Sequence, residues 1–104
     1  MNLMILSGVF FMKASEVLKK IRDLKAKNEL LAAKGKEDPE LNYKINAYNL
    51  LKSALSERQQ EVLKLYYEKD YNHYRTAEAV GFSSSTISRD LKKIKDKYQE
   101  LLEI

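Results

Sequence analysis

No cysteine occurs anywhere in the 104 residues. That excludes disulfides and thiolate metal sites, and it suits a reducing cytoplasm. One proline and three glycines leave few breakers of regular structure, and 33% of the residues are charged. A chain so poor in glycine and proline, and rich in Lys, Leu, Glu and Ala, reads as all-α. His73 is the only histidine, next to tyrosines in a predicted loop, where packing or solvation is the expected role. Paired metal ligands, a glycine-rich phosphate loop and a nucleophile–base arrangement are all missing, so neither an enzyme nor a cofactor is expected. Long apolar runs are scarce too. Residues 1–12, M-N-L-M-I-L-S-G-V-F-F-M, are uncharged, but twelve residues are too few to cross a bilayer as a helix. They lack the basic start and small-residue end of a signal peptide. The expectation is a disordered apolar tail with no membrane role.

What is present is one domain's worth of helices. Residues 13–34 read as an amphipathic helix with a seam of Val17, Ile21, Leu24, Asn28 and Leu31. Gly35 stops it, and Pro39 starts a second helix over 40–55. The second helix shows two apolar faces: Leu41, Ile45, Tyr48 and Leu51, then Tyr43, Ala47, Leu50 and Ala54. These two helices are expected to form an N-terminal hairpin over 13–55. The remainder, 56–104, packs with it as one compact domain of about five helices.

Ser56 and Gln59 have capping-box spacing for a third helix from Glu57 to about Lys69. Its inward residues are Val62, Leu63, Leu65 and Tyr66. Asn72 is placed to cap a short fourth helix, Tyr74 to Val80, and Ser83 to cap a last one that continues to about Glu103. Ala77, Gly81, Phe82, Ile87 and Leu91 then stand at the spacing of a helix-turn-helix. Ala77 must be small where the helices cross, and Gly81 supplies the positive φ of the turn. Phe82, Ile87 and Leu91 are expected to point inward. Tyr43, Tyr48, Tyr66, Tyr67 and Tyr98 lie at core spacing, which favours packing over stacking on bases.

Two segments, L-S-E-R-Q-Q-E-V-L-K-L-Y-Y from Leu55 and T-A-E-A-V-G-F-S-S-S-T-I-S-R-D-L from Thr76, together resemble region four of bacterial sigma factors. The resemblance runs from Leu55 to Leu102, about half of the chain. It implies an upstream helix, a helix-turn-helix, recognition of promoter DNA and contact with RNA polymerase. Nothing resembles region two, so a complete sigma factor is not expected. Early in the last helix, Ser84, Ser85 and Thr86 stand where many members of that family carry long polar side chains.

At 100° per residue, Ile87, Leu91, Ile94, Tyr98 and Leu101 form the inward stripe of the last helix. Ser85, Arg89, Lys92, Lys93 and Asp96 fall opposite, flanked by Thr86 and Ser88. Ser84, Ser85, Ser88 and Arg89 are the candidates for base readout, with Arg89 suited to a bidentate guanine contact. Lys92 and Lys93 lie further along and suit phosphates, as does Arg75 on the preceding helix. The net charge of +4 is mild; residues 56–104 are neutral, but 84–97 hold five cations against two acids. The expected function is a sequence-specific, double-stranded DNA-binding regulator, cytoplasmic and nucleoid-associated, of the small phage or bacterial kind. The rival is an RNA polymerase-binding adaptor or sigma competitor that reads no DNA. A monomer is favoured over a homodimer through residues 17–31.

Overall fold

The computed structural model describes residues 13–103. The apolar segment 1–12, and with it the expected disordered tail, lies outside the described residues. Six α-helices follow: α1 (Ala14–Lys19), α2 (Ile21–Ala33), α3 (Pro39–Ala54), α4 (Glu57–Leu63), α5 (His73–Val80) and α6 (Ser84–Leu102). A π-wound segment, Lys64–Glu68, continues α4. Among the described residues there is no strand, and no helix is long and apolar enough to cross a membrane.

Side chains and glycines set the boundaries as the spacing predicts. Asp38 accepts from the Leu41 amide at 3.2 Å, with Pro39 in the first turn, where its missing N–H costs nothing. Gly35, at φ 69°, ends α2 with amides from Gly35 to the Ala32 carbonyl and from Lys36 to Leu31. That pair of bonds satisfies the last carbonyls of the helix. Ser56 and Gln59 close the capping box reciprocally, at 3.2 and 3.3 Å.

The first predicted helix is two. At Lys20 the backbone turns to φ −106°, ψ 6°, and its amide bonds back three residues to Val17. The break lets α1 lie on α6, where the Ala14 amide donates to Gln99 Oε1 at 2.9 Å, while α2 lies on α3 and the π-wound segment. Val17 and Ile21 from the seam are buried, and so is Leu18, which the seam omitted. Asn28 is half-buried, beside Ala32 and Asn42 in a shallow recess.

On α3, Leu41, Ile45, Tyr48 and Leu51 are buried as expected. The second face is only half used. Ala47 is buried and Tyr43 donates to the Leu102 carbonyl, whereas Leu50 is 58% exposed and Ala54 lies in water. One buried cluster runs from Ala14 through α3 and α4 to Leu102.

Polar tips inside this core are satisfied. Tyr48 meets Tyr98 edge to face at 6.2 Å, and their hydroxyls donate to Glu68 Oε2 and to the Lys44 carbonyl. Lys25 donates to the other Glu68 oxygen at 3.0 Å. Burial pushes the Glu68 carboxyl up, but the bonds from Tyr48 and Lys25 and the charges of Lys25 and Lys52 outweigh it and hold the group below its ordinary value. So the π-wound segment is tied to α2 and α3 by one carboxylate.

Burial raises the hydroxyls of Tyr48, Tyr67 and Tyr98, Tyr67 to about 12. An unfolded tyrosine ionises near pH ~10, so the unfolded state sheds these protons first. The stabilisation is therefore complete below about pH 10 and lost as pH rises through the folded values. Helicity followed against tyrosinate absorbance should show unfolding above about pH 10, and Tyr67→Phe should move the onset upward.

Candidate nucleic-acid interface

Helix α5 starts where Asn72 Oδ1 accepts from the Arg75 amide at 2.8 Å. The buried Thr76 hydroxyl donates to the Asn72 carbonyl, so the cap is held from both sides. Four residues before the turn, Ala77 is buried at the crossing. Gly81 then sits at φ 77°, and the Gly81 and Phe82 amides both donate to the Ala77 carbonyl. Ser83 restarts the chain as a helix by accepting from the Thr86 amide at 3.2 Å.

Helix α6 is buried along Ile87, Leu91, Ile94, Tyr98 and Leu102. Leu102 replaces the predicted Leu101, which is half-buried; the Tyr43 hydroxyl of α3 donates to the Leu102 carbonyl. Phe82 does not point inward as its place in the turn predicts. It is 46% exposed and does not fill the core; its ring lies 4.8 Å from the Arg58 guanidinium carbon.

Ser85, Ser88, Arg89, Lys92 and Lys93 are exposed on α6, as the helical wheel places them. Ser84 and Thr86 are half-buried, and the Thr86 hydroxyl stands 3.1 Å from Ser83 Oγ inside the cap. Lys92 pairs with Asp96 at 3.1 Å across one turn, and Lys97 with Glu100 at 3.9 Å. Arg89 and Lys93 have no acidic partner among the described residues. Lys93 borders a shallow groove of about 300 Å³ with Ala54, Leu55, Gln59 and Asp96. Arg75 is exposed on α5, its guanidinium carbon 4.0 Å from the Tyr71 ring centre. Held over that ring, the exposed guanidinium can still meet an anion. Tyr74 beside it is 79% exposed. His73 packs edge-on against Tyr66 at 5.1 Å.

One pair was not read from the sequence. Asp90 is only 2% exposed, and its two oxygens take Nε and Nη2 of Arg58, each at 2.9 Å. The bond from Asp90 raises the already basic Arg58 further. A signal existed: Asp90 falls about 60° from the Ile87 direction, inside the apolar half of the wheel. An acid there needs a cation from a neighbouring helix.

Helix α5, the turn and the exposed start of α6 thus form a helix-turn-helix whose second helix offers hydroxyls and one unpaired arginine. Residues 53–97 match the family model described as sigma-70, region 4. No curated protein and no solved structure matches the chain. The matched stretch contains α4, α5, the turn and most of α6.

A Cβ at Gly81 would meet nothing within 4 Å, so any cost of substitution is the cost of its φ. Gly81→Ala should therefore destabilise by about 1–2 kcal/mol, the left-handed penalty of an L-residue. Gly81→Val should cost more, because β-branching resists that region. Thermal melting of both variants checks the order.

Proposed function

We propose that this chain, a sigma region 4-like helix-turn-helix protein of the DNA-binding, transcription-regulating class, reads a specific duplex sequence with α6 in the major groove. The observation that carries the reading is the exposed start of α6. Ser85, Ser88 and Arg89 share its outer side, opposite a fully buried stripe. The first residues of such a helix reach base edges, and an arginine fork there matches the O6 and N7 of guanine. Lys92, Lys93 and Arg75 neutralise phosphates on either side, and Ser84 and Thr86 lie at the helix end nearest the duplex backbone. The protein acts as a monomer in the cytoplasm, on the nucleoid. Val17 and Ile21 support the monomer, since these two residues of the seam through which two copies would pair are buried in the chain's own core.

A second reading is an adaptor that contacts RNA polymerase without reading DNA. It is favoured by the short side chains at Ser84–Thr86 and by the exposed Tyr74. Selection of bound fragments from a random duplex pool, beside capture of purified RNA polymerase, separates the two.

On the selected site, Arg89→Ala should lose about 1–3 kcal/mol and relax preference at one base pair. Lys92→Ala and Lys93→Ala should weaken all duplexes alike and each lower the salt slope by about one. All three should melt like the wild type. A wild type that binds no duplex even at low salt would leave the adaptor reading standing.

A further inference from the structure

Asp90 is a costly residue to place where it is. A buried carboxylate must be desolvated, and well-packed apolar side chains in place of the whole pair often hold two helices together as firmly. What the carboxylate adds is direction. Both oxygens are engaged by one planar guanidinium, at 2.9 Å each, so the contact has two points and a plane. The stripe Ile87–Leu91–Ile94 is held by apolar packing, which is strong but non-directional and tolerates a few degrees of roll. Roll matters at the outer face. A turn of about 10° about the helix axis moves a group ~6 Å from that axis by roughly 1 Å. Site geometry must be kept to about 0.5 Å and 10–20° to function. Arg89 is the next residue to Asp90, and Ser85 and Ser88 lie within about a turn of it, so all three rotate with that carboxylate.

Phe82 completes the arrangement. It leaves 46% of its surface in water, yet its ring covers the Arg58 guanidinium at 4.8 Å. The guanidinium thereby lies over a ring of the turn and is bonded by α6, while its backbone belongs to α4. Three elements meet at one planar group. The burial of Asp90 also keeps a negative charge off the face that carries Arg89.

We infer that the Arg58–Asp90 fork, faced by Phe82, is a positioning device that sets the roll of α6 and so the base preference of the interface. The inference rests on the duplex reading for its functional consequence and on the fold alone for the roll itself.

Two measurements on the full chain test it, with Arg58→Lys and Asp90→Asn. Arg58→Lys keeps the charge and loses the planar fork, so it carries the test if Asp90→Asn fails to fold. Residual dipolar couplings of backbone amides report helix orientation in the free protein. They should change along α6 in Arg58→Lys and stay the same along α3. In binding, discrimination between the selected duplex and random duplex should fall about tenfold, the worth of one good bidentate base contact. Affinity for random duplex and its salt slope should be unchanged. Phe82→Leu should give a smaller loss in the same direction. Unchanged couplings in a folded Arg58→Lys overturn the inference whatever the DNA results. A parallel loss of affinity for all duplexes, following the melting temperature, overturns it as well, since that marks support of the fold alone. A wild type that shows no discrimination sinks the duplex reading instead, and the couplings still decide the fork.

Discussion

Burial of one side of α6 is the constraint on which the other elements depend. Ile87, Leu91, Ile94, Tyr98 and Leu102 meet α1, α3, α4 and α5. Each of those helices buries part of its own apolar face there. The opposite side of α6 is left without protein contacts over its first turns, and that freedom is the precondition for entering a groove. The division is sharp because the helix is strongly two-sided: the same 3.6-residue period that fills the core clears the face. Gly81 serves the same end from outside, by turning the chain so that α6 crosses α5 over the small Ala77.

Charge is spent differently on the two sides. Lys25, Tyr48 and Glu68 join α2, α3 and the π-wound segment through one carboxylate, and Arg58 and Asp90 join α4 to α6. Surface pairs such as Lys92–Asp96 are exposed and contribute little to stability. They do compete with phosphates, since a lysine held by its own aspartate must give up that bond first. Arg89 has no such partner among the described residues, and it stands nearest the start of the helix.

The helix boundaries were legible because side chains or glycines write them locally. Ser56, Asn72 and Ser83 cap where their spacing said, and Gly81 takes the positive φ the turn required. The outward direction of Ser85, Ser88 and Arg89 was legible from periodicity as well. What escaped has one physical origin. A wheel gives the direction of a side chain from its own axis, and it is silent on what stands there. Leu50 and Ala54 point as Ala47 does, but both are left in water. Phe82 is apolar and sits beside the turn, yet a guanidinium occupies its face rather than the core. The division of the first helix at Lys20 and the π winding of Lys64–Glu68 come with partners distant in sequence, Gln99 for α1 and Lys25 and Tyr48 for Glu68, which no local pattern displays.

The contact between Ala14 and Gln99 has a consequence for how the chain is made. Synthesis delivers α1 and α3 before α6, but α1 lies against α6, and α3 has its main neighbour there too. While the ribosome is still short of residue 102, these early helices have leucines and tyrosines with nothing to cover them. Such surface on a nascent chain is prone to aggregation. Covering those early faces therefore waits for α6.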